Sequence, residues 1–315
     1  MSSPARLPHV AYPRLEALFR AGEEVWQRRP DVREAHGSVE SWGYWCWMMF
    51  SGAVEHAELQ SNLYPVPDSF LIERVVGSLT REQFVNSGVI DATRFRDCLV
   101  EAGVDLEAGG RMLDFGCGCG RLLRILARLA HRFELHGVDV DADAIAFSRE
   151  SFDFASFERI GTSPPTGFGD DSFDVIYAYS VFTHLTEPGS RAWLDELARI
   201  AKPGATVVLT TGGRRLVEHF LEGVTHDPIP SAAALKARLP ELEERGFLFF
   251  PYEKLECPDP RNVEFFEAWD LEAYGMTFVL ESYVREHWLE HFELVAHRAA
   301  PDDWQDYMVL RRRES

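Results

Sequence analysis

The chain has 315 residues, 46% of them hydrophobic and 26% charged, with a formal charge of −19. That length can bury a substantial core and suits one elaborated domain or a domain plus a cap. The acidic balance argues against a nucleic-acid partner, because Arg28-Arg29, Arg214-Arg215 and Arg311-Arg312-Arg313 make no continuous basic stripe. No window of about eighteen apolar residues occurs, so no membrane span is expected. Met1–Arg6 lacks the apolar core of a signal peptide, and the expected location is the cytoplasm.

Residues 1 to about 105 read as a helical N-terminal cap. Leu15, Leu18, Phe19 and Trp26 fit one helical face. Ser41 to Phe50 is unusually aromatic, and Trp42, Tyr44, Trp45, Trp47 and Phe50 either wall a pocket or anchor the cap, the packing reading being favoured. Thr80 and Gln83 have capping-box spacing, and Asp91 is placed to cap a helix that Gly103 ends.

The stretch Arg111-Met-Leu-Asp-Phe-Gly-Cys-Gly-Cys-Gly-Arg121 organises the rest of the chain. Met112, Leu113 and Phe115 form a short apolar strand, glycines fall at 116, 118 and 120, and Leu122 to Ala130 has helical periodicity. Strand, glycine turn and helix suit a nucleotide-like ligand, since glycine permits a sharp turn and close approach to main-chain N–H groups. A dinucleotide fingerprint would need glycine where Arg121 stands, so a nicotinamide dehydrogenase is disfavoured. Asp139 closes the next apolar run, where a carboxylate can accept from both ribose hydroxyls.

The remaining pattern predicts a parallel sheet: strand 111–115, helix 120–131, strand 133–139, helix 142–152, strand 155–160, strand 173–179, helix 188–201 and strand 205–211. Helix 281–291 and strands 292–298 and 305–311 close it. Residues 213–275 read as an insertion of about sixty residues, far above ordinary connection length, with helices at 214–222 and 231–245 and an apolar run at Phe247–Phe250. Its place after a strand's carboxyl end suggests a substrate lid.

These residues resemble the class I S-adenosylmethionine-dependent methyltransferases. The similarity rests on Leu113–Gly120, Gly137-Val-Asp-Val-Asp141, Ser172–Ala178 followed by Val181-Phe-Thr-His-Leu185, and Ala201-Lys-Pro-Gly204. It implies a Rossmann-like α/β fold with a seven-stranded, mostly parallel sheet and a final antiparallel strand. It further implies S-adenosylmethionine as cofactor, S-adenosylhomocysteine as product, and contacts from Asp114, Gly116, Cys117, Gly118, Gly120, Asp139, Val140, Tyr179 and Ser180. Where relatives carry Asp or Asn after the third strand, this chain has Gly161, Thr162 and Ser163, so Thr162 or a main-chain carbonyl must meet the adenine.

Methyl transfer needs in-line positioning and exclusion of water, and a base only if the acceptor must lose a proton. His184, after the fourth strand, is the candidate base, weighed against a packing or capping role. Arg214 and Arg215, at a helix start after strand five, are candidate anchors for an acceptor carboxylate or phosphate, weighed against a solvated helix end. His219, His226, Glu281 and Tyr283 are weaker candidates. Five cysteines, Cys46, Cys98, Cys117, Cys119 and Cys257, offer no metal-ligand spacing, and no metal is expected. The sequence thus points to methylation of a small molecule, apolar or carrying a carboxylate or phosphate. A protein side-chain methyltransferase and a non-catalytic module holding the cofactor or its product stand as alternatives. The acceptor atom is left open among O, N, S and C, and a homodimer is carried as one option for assembly.

Overall fold

The computed structural model describes residues 12–77, 80–224, 230–252, 261–262, 273–301 and 304–314. Met1–Arg6, His226 and Cys257 lie outside the described residues. The chain divides into two compact units. One comprises Met1–Arg96, Asp105–Gly110 and Cys117–Arg159, and the other Asp97–Val104, Arg111–Gly116 and Ile160–Ser315.

Among the described residues before the first strand the elements are helices: α1 (Pro13–Arg28), α2 (Pro30–His36), α3 (Trp42–Met49), α4 (Ser51–Glu55), α5 (Ala57–Gln60), α6 (Ser69–Val76) and α7 (Arg81–Glu101). Proline opens α1, where its missing N–H costs nothing, and Leu15, Leu18 and Val25 are buried at helical spacing. The aromatic stretch is α3 and serves packing. Tyr44 donates its hydroxyl to the Gly22 carbonyl (2.6 Å), Trp45 its indole N–H to the Ile125 carbonyl (2.7 Å), and Trp42 its own to Thr93 Oγ1 (2.9 Å). Burying such rings requires these polar handles to be satisfied. The capping box forms, with Gln83 N–H on Thr80 Oγ1 and Thr80 N–H on Gln83 Oε1. Asp91 is not a cap: it lies inside α7, buried, and takes the Arg121 guanidinium at 2.5 Å. An uncompensated carboxylate there would be costly, so the pairing outweighs the capping preference.

The core elements are β1 (Gly110–Phe115), α8 (Leu123–Leu126), β2 (Phe133–Asp139), α9 (Ala142–Ser151), β3 (Ala155–Arg159), β4 (Phe173–Ala178), α10 (Glu187–Ile200) and β5 (Ala201–Thr211). The helix expected over 120–131 is one turn of α8 followed by a 3-10 turn at Ala127–Leu129, because i→i+3 bonds such as Ile125 N to Leu122 O and Ala130 N to Ala127 O take over. Local capping explains the other helices. Asp141 accepts from the Asp143 and Ala144 N–H groups at the start of α9, and Thr186 from Gly189 at the start of α10, with proline following.

Past β5 come α11 (Arg214–Glu222), α12 (Ala232–Arg245), β6 (Phe247–Pro251), β7 (Gly275–Val279), a helix Glu281–His287 shorter than expected, β8 (Phe292–Arg298) and β9 (Asp306–Arg312). Seven strands share a sheet in the order β3-β2-β1-β4-β5-β9-β8. The pairs β1–β4, β2–β3 and β4–β5 are parallel, and β9 runs antiparallel to both β5 and β8. The expected mostly parallel α/β sheet with an antiparallel strand is therefore present. Within and just past residues 213–275, β6 pairs with β7, and Leu216, Val217 and Phe220 pack in one apolar cluster with Leu235, Leu242, Leu248 and Phe278.

Candidate active site

The turn after β1 is built from glycines in left-handed conformations: φ is +79° at Gly116, +52° at Gly118 and +73° at Gly120. A side chain is strained there and would also collide. A Cβ at Gly118 would lie 2.8 Å from Val75 Cγ2, and one at Gly120 would lie 2.5 Å from Phe152 Cε2. Val75 stands on α6, a contact that no local sequence signal announces.

Three N–H groups of this turn are engaged within the protein itself. Cys117 N–H goes to the Val138 carbonyl (2.9 Å), Gly118 N–H to Asp139 Oδ2 (2.7 Å) and Gly120 N–H to the Cys117 carbonyl (3.0 Å). A pyrophosphate would find these three donors taken, whereas a ligand without phosphate loses nothing by it. Arg121, held in its ion pair with Asp91, fills the place of the third fingerprint glycine. The turn thus suits an adenosine ligand that carries no phosphate.

Asp139 ends β2 half-buried, with Oδ2 on Gly118 N–H and Oδ1 on Asp141 N–H at 2.9 Å. Burial pushes its carboxyl up to about 6, and the two main-chain donors offset this only in part. Asp141 is itself fixed by Arg74 of α6, whose guanidinium lies 3.1 and 3.2 Å from its two oxygens. The donor chemistry fits a ribose, since each carboxylate oxygen retains acceptor capacity for a hydroxyl. Val140 is half-buried, with its carbonyl accepting from Arg159 Nε. Burial raises the Cys119 thiol to about 12, in line with a packing role for the C-x-C pair, and among the described residues no cluster could hold a metal.

Within the second unit, Asp114 is buried in β1 opposite Tyr177 of β4, and Val181 covers Gly116, where a Cβ would come 2.3 Å from its Cγ2. Tyr179 is half-buried, and its ring approaches that of Tyr307 at 6.3 Å. Ser180 takes φ +58°, unusual for a residue with a side chain, and is held there by several bonds. Its N–H donates to Thr210 Oγ1 (2.7 Å), and its Oγ accepts from Gln305 Nε2 (3.0 Å) and lies 3.1 Å from Thr183 Oγ1. Gln305 is not legible in the sequence, because nothing local marks a partner 125 residues away. Thr162 is exposed.

His184 is half-buried, with Nδ1 2.9 Å from the Gly275 carbonyl, and the rings of Tyr274 and Tyr252 stand 5.0 and 6.2 Å from its own. A carbonyl only accepts, so Nδ1 carries the proton and Nε2 is the basic nitrogen. The arginines fare differently. Arg214 is exposed and bidentate to Glu243 of α12 (2.6 and 2.8 Å), and Arg215 bonds Glu218 on its own helix. A Cβ at Gly213 would meet the Asp306 carboxylate at 2.2 Å, so an acidic group already stands beside the start of α11. An anion bound at either arginine would compete with these carboxylates.

His219 is buried with its ring 4.6 Å from that of Trp304. Tyr283 donates its hydroxyl to Glu187 (2.7 Å). Glu281 bonds both Arg285 and His297, and His297 is held on its other side by Asp306, each at 2.7 Å. All three thus have partners within this unit.

Residues 113–207 match the family described as a methyltransferase domain. The chain is 28% identical over 124 residues to a probable chloroplastic tocopherol O-methyltransferase of Oryza sativa, a match covering 38% of this chain and 33% of that one. It is 32% identical to a fatty-acid O-methyltransferase of Mycolicibacterium smegmatis (35% and 39% covered) and 33% identical to a ubiquinone biosynthesis O-methyltransferase of Bradyrhizobium (34% and 42%). The chain thus spans only a third to two fifths of these relatives' length. Among the described residues no helix is long and apolar enough to cross a membrane. The glycine turn and Asp139 both lie inside the stretch that matches the methyltransferase domain, and residues 113–207 are the part of the chain that this likeness covers.

Proposed function

We propose that this chain transfers a methyl group from S-adenosylmethionine to a small-molecule acceptor in the cytoplasm, without nucleic acid as substrate. The observation that carries the reading is the phosphate-unfriendly glycine turn bonded to Asp139. Bound there, S-adenosylmethionine would supply an electrophilic methyl on a sulfonium. Asp139 would accept from its ribose hydroxyls, and the positive-φ glycines would let the backbone come close. Cys117, Val140, Tyr179 and Ser180 are proposed as further cofactor contacts, Asp114 as support for the turn, and Thr162 or a neighbouring carbonyl for the adenine.

His184 Nε2 is proposed to take a proton from an acceptor hydroxyl as the oxygen attacks. The relatives named as O-methyltransferases support oxygen as the acceptor atom. Residues 1–105 are read as a cap and 213–275 as a lid, with Arg214 fastening α11 to α12 through Glu243. The test is transfer of labelled methyl to a panel comprising a hydroquinone, a fatty acid and phosphoethanolamine. Transfer to one of them that falls on the order of a hundredfold in His184→Gln is expected, within the range a general base contributes. Undiminished transfer in that variant overturns His184 as base, and no transfer to any small molecule counts against the substrate class.

A further inference from the structure

The segment carrying His184 is held by strand β7, at the return from the inserted residues 213–275. Thr277 N–H donates to the Thr183 carbonyl (2.7 Å), Gly275 N–H to the His184 carbonyl (3.1 Å), and Thr277 Oγ1 to the Leu185 carbonyl (2.7 Å). The Gly275 carbonyl then receives His184 Nδ1–H at 2.9 Å. Main chain and imidazole are thus both fixed by two residues of one strand. Gly275 is itself pinned from the other side: it pairs with Pro251 of β6, and a Cβ on it would lie 2.0 Å from the Phe250 carbonyl oxygen. Thr277 is fully buried, so its hydroxyl bond has no water to replace it.

We propose that Thr277 is a positioning residue for methyl transfer, through which strand β7 sets the tautomer and orientation of His184. This rests on reading His184 as the base. An unconstrained neutral imidazole favours the Nε2–H form, which has no basic nitrogen at that position. The Gly275 carbonyl selects the opposite tautomer, and the Thr277 hydroxyl keeps residues 183–185 in register for it.

The test is nitrogen-15 NMR of the full chain with ring-labelled histidine, His184 being assigned from His184→Gln. Wild type at neutral to alkaline pH is expected to hold His184 as Nδ1–H. Thr277→Val, nearly isosteric, is expected to lower the Nδ1–H to Nε2–H ratio by roughly threefold or more, the factor of one net hydrogen bond, and Thr277→Ser to restore it. A wild-type imidazole in the Nε2–H form, or a valine variant with an unchanged ratio, overturns the proposal. Thr277→Ala is the second variant should valine not fold. The tautomer is read without any acceptor, so its outcome stands apart from the transfer assay on His184→Gln, which tests the base itself.

Discussion

Replacing Asp139 by asparagine separates cofactor binding from folding. In the structure the carboxylate accepts from two main-chain N–H groups, Gly118 at 2.7 Å and Asp141 at 2.9 Å. An amide accepts through one atom only, so one of these bonds is lost and an NH2 group faces a donor, costing about 1.5–3 kcal/mol for a bond to a charged group. Against this, burial lifts the carboxyl from 3.8 to about 6, so the ionised form penalises the fold at neutral pH by at most about 3 kcal/mol. That figure is reduced because the side chain is only half-buried. The two effects offset, and Asp139→Asn is expected to unfold within a few degrees of wild type.

The bound ribose has no such compensation, because two hydroxyl donors meet one acceptor instead of two. Calorimetry with S-adenosylmethionine is expected to show an affinity lower by roughly ten- to a hundredfold, or about 1.4–3 kcal/mol. The pH dependence has a defined sign. Hydroxyl donors favour the ionised carboxylate, so wild-type affinity should be flat above pH 7 and fall as pH drops through about 6. Stability of the free protein runs the other way. The folded state holds this proton more tightly than the unfolded one, so the Asp139 contribution weakens as pH rises from 3.8 to about 6. Unchanged affinity in Asp139→Asn, with no acid limb in wild type, would refute the assignment of this carboxylate to the ribose.

Gly118→Ala, at φ +52° with its Cβ 2.8 Å from Val75, is expected to cost about 1–3 kcal/mol and to weaken cofactor binding, as read by denaturant titration and calorimetry. Trp45→Phe removes the donor to the buried Ile125 carbonyl and should lower unfolding free energy by about 1–3 kcal/mol in urea. The bond to Asp306, then the one to Glu281, raises the His297 pKa, so its stabilisation is full below pH 6.5 and is lost as pH rises through the raised value. A thermal scan from pH 6 to 9 should show this decline in wild type and not in His297→Gln.

The sheet and the glycine turn are legible because their signals are local. Gly116, Gly118 and Gly120 mark positive φ, Asp139 ends an apolar run, and Thr80 with Gln83 marks a helix start within four residues. What escapes is pairing at a distance. Asp91 has the composition of a cap, yet it is claimed by Arg121 thirty residues on. The Glu243 partner of Arg214 stands 29 residues on, beyond the reach of any local pattern. Gln305, Val75 and Thr277 act on Ser180, Gly118 and Leu185 through packing that no spacing rule encodes. His184 is identifiable by its place after β4, but its tautomer depends on a carbonyl 91 residues away.

The most direct test of the central claim is titration of the folded wild-type chain with S-adenosylmethionine, with S-adenosylhomocysteine as competitor and a nicotinamide dinucleotide as control. The glycine turn and Asp139 predict saturable one-to-one binding of the first, displacement by the second, and no binding of the dinucleotide, whose phosphates find the donors of Cys117, Gly118 and Gly120 already engaged. A well-folded chain that ignores S-adenosylmethionine, or prefers the dinucleotide, would contradict the account.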